Sequence, residues 1–302
     1  MCARWISHFK ALGLMLALAA IGCAGGAKNI PETKSKPEPV TTPAREMSYD
    51  LQFKTPPNTT AAYVLRVRSR FAQESMGKET VADAGWRAVV RQSAVSTGDG
   101  GTLRVAFDFD SLTVQTRDPA VESLLKPLEG IIGKTVQAVL TSIGEVRSLQ
   151  GLEKLPAVAN QNNQMESSLR SFFPRFAGFP TKIGENWSRQ DTTLNKNEVT
   201  DLKIINRSQY SLLSAIPAGT TTQLKLHNSG SFSLSGLTKN QGMDIGLNGT
   251  GSTEADFVID YADGWLISAT ATTRSSGTAK FNTPQPTSIP WRSTITVSIS
   301  RK

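Results

Sequence analysis

Residues 160–188 read NQNNQMESSLRSFFPRFAGFPTKIGENWS, and the fold turns on this stretch. Met165, Leu169, Phe172, Phe173 and Phe176 fall at i, i+4, i+7, i+8 and i+11, one apolar stripe at helical period. The spacing predicts an amphipathic helix over 164–176. Pro174 and then Gly178-Phe179-Pro180 stop it, and Gly184-Glu185-Asn186-Trp187 opens a new run of strand-like segments. On both sides of the stretch, back to about Ser48 and on to the C-terminus, the pattern is that of sheet.

Upstream, residues 62–73 alternate, with Tyr63, Leu65, Val67 and Phe71 on one face and Arg66, Arg68 and Arg70 on the other. That is a half-buried antiparallel strand. Its arginine ladder is a candidate basic face for an anionic ligand, or a solvated face paired across strands with Asp108 and Asp110. Residues 86–95 and 103–109 give two more strands. Asp118-Pro119 starts a short helix, Asp as N-cap and Pro at the first helical position. Residues 133–141 and 145–149 form a hairpin around Ile143-Gly144. Gly133-Lys134-Thr135 imitates the tail of a phosphate-binding loop, but Leu128 stands where the first glycine belongs, and the motif enters a strand instead of a helix.

Downstream, strand-like runs cover 202–205, 210–216, 221–227, 231–234, 257–261, 265–271 and 294–300. Asp263-Gly264 is the strongest hairpin signal, a dipeptide suited to a primed turn. The two halves echo each other at an offset of about 120 residues, Gly144 aligning with Gly264 and Ser148 with Ser268. The fold class read from this is mainly β: a curved antiparallel sheet or half-barrel, built of two β-meander halves, with the central helix packed on its concave side.

A 302-residue chain that is 38% hydrophobic can bury a large core in one or two domains. Its formal charge is +8, and the basic residues are scattered, which favours anionic lipid or cell-wall polymer over nucleic acid. Cys2 and Cys23 are the only cysteines, both near the N-terminus, so the body has no disulfide, thiol nucleophile or cysteine metal site. His227 is the body's one histidine, and no G-x-S-x-G elbow accompanies it. Asp256, Asp260 and Asp263 lack the glycine-punctuated spacing of a calcium loop. The expectation is a protein that is not an enzyme and carries no metal or cofactor.

Arg4 and Lys10 bracket a short basic region, residues 11–20 (ALGLMLALAA) are apolar, and Ala20-Ile21-Gly22-Cys23 follows. The apolar run suits a signal peptide and is too short for a stable membrane span. Its end resembles the bacterial lipobox, with Ala20 where leucine is usual. The resemblance implies cleavage before Cys23, a diacylglycerol on its sulfur, an acyl group on its new amine, and membrane anchoring through them. Ala24 after the cysteine resembles the pattern that permits export to the outer membrane, facing the periplasm or the surface. Residues 24–47 are rich in Pro, Lys, Glu and Thr and poor in large apolar side chains, which reads as a tether reaching about 25–30 Å. The expected organisation is a leader (1–22), a tether from lipidated Cys23 (23–47), a first β half (48–160), the central helix and turn (161–180) and a second β half (181–302).

Pro180-Thr181-Lys182-Ile183 followed by Gly184-Glu185-Asn186-Trp187 resembles the signature of a class of bacterial secreted and lipidated β proteins with a domain of unknown function. Those proteins also place a strand–turn–strand unit upstream, as residues 133–146 do here. That resemblance implies no activity. A helix-plugged sheet is also similar in outline to the LolA/LolB-like lipid-carrying and lipid-binding lipoproteins. Two expectations follow. One is a non-catalytic structural or interaction module of the cell envelope, meeting a protein or cell-wall polymer. The other is a carrier of a lipid or other apolar ligand, held between sheet and helix against Met165, Leu169, Phe172, Phe173 and Phe176.

Overall fold

The structure, a computed structural model, describes residues 47–302 apart from 57, 76, 99–100, 157–168, 171, 197–199, 241–242 and 283–286. The lipobox, the tether and Met165 therefore lie outside the described residues.

In chain order the elements are β1 (Ser48–Tyr49), β2 (Thr60–Ser75), β3 (Lys78–Gly98), β4 (Thr102–Gln115), α1 (Pro119–Leu125) and a 3₁₀ turn (Lys126–Ile131). Then come β5 (Thr135–Leu140), β6 (Val146–Gln150), β7 (Thr181–Lys182), β8 (Asn186–Lys196), β9 (Thr200–Ala218), β10 (Thr221–Asn240), β11 (Met243–Asp260), β12 (Leu266–Phe281) and β13 (Thr287–Arg301). Eleven strands form one antiparallel sheet in the order β6-β5-β4-β3-β2-β13-β12-β11-β10-β9-β8, while β1 and β7 pair separately. The protein is mainly β, as the alternation implies. The two halves are not separate sheets: β2 and β13 join them, running from Gln73 opposite Trp291 to Tyr63 opposite Arg301. The sheet does not close, and its edges are β6 and β8.

The 120-residue echo is an echo of elements. β3 and β9 end at Gly98 and Ala218, β5 and β11 at Leu140 and Asp260, and β6 and β12 start at Val146 and Leu266. The helix predicted after Asp118 forms as α1, its N-terminus capped by the Asp118 carboxylate accepting from the Ala120 amide at 2.9 Å. The turn at Asp263-Gly264 differs from the primed type. Gly264 has φ +77°, while Asp263 keeps a negative φ. The Gly264 amide donates to the Asp260 carbonyl, so a longer loop ends in a left-handed glycine.

Inward-facing residues fall into layers. At the end bearing the turns around Gly144 and Gly264, a large apolar cluster holds Tyr63, Phe107, Leu212, Leu224, Leu226, Phe257 and Trp265. At the opposite end a second cluster joins Val67, Phe71, Ile204, Phe232, Leu247, Phe281 and Trp291. This cluster runs continuously from β2 across β13, β12, β11 and β10 to β9. Between the clusters the buried positions of β9 to β12 are polar, namely Asn206, Asn228, Thr253, Thr273 and Ser275, while Ser69 and Ser293 are buried among the side chains of the second cluster.

This polar layer explains a difference from the sequence reading. Residues 202–205 and 210–216 belong to one strand, β9, and residues 221–227 and 231–234 to another, β10. Their middles bury Asn206 and Asn228, so apolar alternation fails where the strand does not. The Thr253 and Thr273 hydroxyls satisfy each other at 2.8 Å across β11 and β12. Thr253→Val alone strands the Thr273 hydroxyl and should cost about 1–3 kcal/mol, whereas the double Thr→Val variant should cost less than the two single changes combined. Chemical denaturation of the three variants measures this.

Candidate functional site at the sheet seam

The stretch that opens the gap between β6 and β8 also fills it. The helix expected to reach Phe176 does not: among the described residues only 169–170 are helical, and 172–177 run as a bend and extended chain. Pro174 is the reason, since it has no amide to donate and disfavours helix at the residue before it. Leu169, Phe172, Phe173 and Phe176 are nevertheless all buried. Phe172 stands edge-on to Tyr63 of β2 at 5.8 Å and to Phe107 of β4 at 5.5 Å. Phe173 stands edge-on to Phe53 at 5.5 Å, and Phe176 leans on Phe53 at 4.6 Å.

Backbone contacts stitch this segment to both edges. On the β6 side the Phe176 amide donates to the Ile143 carbonyl at 3.0 Å, and an Arg170 Nη donates to the Val146 carbonyl at 2.6 Å. Gly144, at φ +84°, lets the Pro174 carbonyl approach so closely that any Cβ there would collide with it. On the β8 side the Trp187 Nε1 donates to the Arg175 carbonyl at 2.7 Å. Arg189 Nη2 donates to the Phe176 and Ala177 carbonyls at 2.7 and 2.8 Å.

The Gly184-Glu185-Asn186-Trp187 motif is thereby given a structural role. Gly184 turns the chain at φ +86°, and the Glu185 carboxylate accepts from the Lys182 amide at 2.7 Å. Asn186 accepts from the Ser211 hydroxyl, and Trp187 stacks on Tyr210 at 5.6 Å with 10° between the rings. Burial pushes the Tyr210 hydroxyl up to about 12.

A second contribution comes from a segment the sequence reading did not single out. Tyr49, Leu51, Phe53 and Thr55 alternate inward along the approach to β2 and are buried. The Phe53 amide donates to the Ser142 carbonyl at 2.8 Å and the Lys54 amide to the Asp263 carbonyl at 2.9 Å, so this segment bridges the two turns. Gly264 sits against the Gln52 carbonyl, where no side chain fits. Its signal was present as the period-2 run Tyr49-x-Leu51-x-Phe53.

Arg66, Arg68 and Arg70 are exposed on the outer face of β2, as the alternation implies. Their expected partners are corrected. Asp108 and Asp110 lie on β4, one strand beyond β3: Asp110 pairs with Arg91 at 2.8 Å, and Asp108 accepts from the Thr135 hydroxyl. The carboxylate facing the ladder is Asp83, 4.0 Å from Arg70. Arg66 lies directly opposite Arg87. On the other flank the ladder is bordered by Thr294, Thr296 and Ser298 of β13.

His227 is on the outer face of β10, its Nδ1 3.0 Å from Asp256 and its Nε2 3.1 Å from Glu254, both on β11. No cluster of three or more His, Cys, Asp or Glu suited to a metal is found among the described residues. Asp260 and Asp263 instead brace their own loop, accepting from the Ala262 and Trp265 amides. Burial raises the Asp263 carboxyl above its ordinary value.

No protein-family model matches the chain, and no curated protein matches it. Among solved structures it is similar to Salmonella typhi OmpF in complex with daunomycin (TM-score 0.22, 4% identity, 81% of this chain and 98% of that one). It is also similar to a Bacteroides fragilis protein described as having a YmcC-like fold (TM-score 0.21, 10% identity, 80% and 97%) and to Pseudomonas aeruginosa OccK2 (TM-score 0.21, 8% identity, 80% and 98%). Similarities at these scores carry no argument about fold or activity.

The seam makes a stability prediction. Phe176→Ala should cost about 3–5 kcal/mol, because the ring is fully buried against Phe53. Trp187→Phe keeps an aromatic ring against Tyr210 but leaves a small cavity and removes the bond to the Arg175 carbonyl, and should cost less, about 2–3 kcal/mol. Urea denaturation of both variants checks the ranking.

Proposed function

We propose that the protein is a lipid-tethered, non-catalytic module of a bacterial envelope, anchored through Cys23 in the outer membrane, whose outer sheet face holds an anionic envelope polymer. The observation that carries this reading is the arginine ladder. Arg66 and Arg87 are directly opposed across β2 and β3, an arrangement that is destabilising by itself. An anion lying along the ladder would turn that repulsion into attraction, and the guanidinium forks suit carboxylate or phosphate groups. Hydroxyl side chains of β13 flank the ladder and add neutral donors.

The lipid-carrier alternative needs space between the sheet and the central segment. What weighs for the interaction reading is that Phe172, Phe173 and Phe176 meet the rings of Phe53, Tyr63 and Phe107 at 4.6–5.8 Å.

The test uses the leaderless chain with Cys23→Ser. On immobilised heparin, a soluble stand-in for an anionic polysaccharide, an Arg66→Ser, Arg68→Ser, Arg70→Ser variant should elute at clearly lower salt than a charge-matched Lys203→Ser, Lys225→Ser, Lys239→Ser variant. Equal elution would mean that net charge alone is being read and would sink the ladder as a site. Native mass spectrometry of the same chain should give a clean apo mass; co-purified lipid would restore the carrier reading.

A further inference from the structure

We infer that the turn-bearing end of the sheet is a membrane-docking tip that rests in the headgroup layer of the bilayer to which the chain is tethered. This rests on the lipid-anchor reading of Cys23. Five large apolar residues at this end are between 43% and 72% exposed: Met47, Phe179, Ile183, Leu213 and Ile216. With Val95, beside the β3–β4 turn at the same end, they make six of the nine large exposed apolar residues among the described ones, so the apolar surface is concentrated there.

Their placement follows from the chain. Ser48 pairs with Lys182, which sets Met47 and Ile183 at the margins of the same short ribbon. The Gly184 amide donates to the Leu212 carbonyl at 2.7 Å, and the Leu212 amide donates to the Glu185 carbonyl at 3.2 Å, laying that turn against β9. Across β10, Leu226 pairs with Leu212 and Lys225 with Ser214, so Leu213 is the extra residue of a bulge. Leu213 faces outward by ordinary alternation from the buried Leu212, and the bulge shifts the parity beyond it, so that Ile216 faces outward where unbroken alternation would turn it inward. Ile216 follows on the outer side, just before the β9–β10 turn.

The occupant is indicated by where the chain enters. Twenty-three residues separate Cys23 from Met47, and Met47 is itself part of the exposed group. A coil of that length spans about 25–30 Å, so this end is held within reach of the surface. Tethering at that range also gives an effective concentration on the order of millimolar, at which a weak apolar contact is mostly formed. The opposite end, with the β2–β3 hairpin, stands a strand away, about 50 Å for a 15-residue strand such as β13. Leu194 and Leu237 lie towards that end and out of reach. Lys182 and Lys302 are exposed at the docking end, where lipid phosphates would face them.

The experiment uses the full mature lipidated chain reconstituted into vesicles of phosphatidylethanolamine and phosphatidylglycerol. The body contains no cysteine, so Ile183→Cys and, separately, Leu194→Cys can each carry one environment-sensitive nitrobenzoxadiazole label. Docking predicts a blue-shifted, several-fold brighter label at 183 and a water-like label at 194. Adding Phe179→Ser and Ile216→Ser should return the 183 label toward its value in water, with the far-ultraviolet circular dichroism unchanged. A water-like 183 label on a chain that co-floats with the vesicles would overturn docking and leave the anchor standing. Failure to co-float, or co-flotation that persists with Cys23→Ser made without acylation, would overturn the anchor reading. In the first of these cases docking falls with it; in the second, a retained 183 shift assigns the attachment to the tip itself.

Discussion

An antiparallel sheet that stops short of closing leaves two rows of unpaired backbone, here β6 and β8, and unpaired edges invite association with other chains. The contact that manages this is the insertion of Phe172, Phe173 and Phe176 between those edges, against Phe53, Tyr63 and Phe107. Each buried ring contributes on the order of 1.5–3 kcal/mol, and edge-to-face geometry adds to that. The hydrogen bonds of Arg189 and Trp187 to the carbonyls of residues 175–177 then fix the strand register around the plug. The turns at Gly144 and Gly264, the approach through Phe53 and the stack of Trp187 on Tyr210 are all arranged around this packing.

The interior below the plug has a different character. Two apolar clusters are separated by a layer of buried hydroxyls and amides, within which Asn206 Oδ1 and Asn228 Oδ1 have no protein partner among the described residues. Buried acceptors of this kind are usually satisfied by ordered water. Such a layer weakens the drive to bury each strand's middle. The long ladders of β9 to β13 offset this, since each of these strands is hydrogen-bonded to a neighbour on both sides over most of its length. Small and β-branched residues suit those ladders, which is why the sheet can run unbroken through a region poor in large apolar side chains.

Function, on the reading offered above, is divided between two surfaces rather than concentrated in a pocket. The Arg66–Arg68–Arg70 face points away from the core along the wall of the sheet, and the apolar residues gather at the end where the tether enters. A body held by its turn-bearing end would present the arginine wall to whatever lies beside the membrane. The repulsion between Arg66 and Arg87 and the solvent exposure of Phe179 and Ile183 are costs to the isolated fold that a partner of matching chemistry would relieve.

The mainly β class, the strand positions of the first half, the Asp118 cap, the outward arginines and the identity of the apolar anchors were all legible in the chain. Each depends on local periodicity or on a single residue's backbone preference, which neighbours in sequence suffice to express. The lengths of β9 to β12 were not legible, because their middles face a polar interior and lose the alternation by which strands are recognised. Nor was the form of the central stretch. Its apolar spacing is helical, but Pro174 and the competing carbonyl partners on Arg189, Trp187 and Gly144 favour a bend that delivers the same rings to the core. The sequence alone determined that Leu169, Phe172, Phe173 and Phe176 would be buried together. Only tertiary structure decided that one sheet would run through both halves by way of β2 and β13, and that Asp83 rather than Asp108 would face the ladder. Those outcomes depend on register between residues far apart in the chain, and register is set by the packing of the whole sheet rather than by any segment of it.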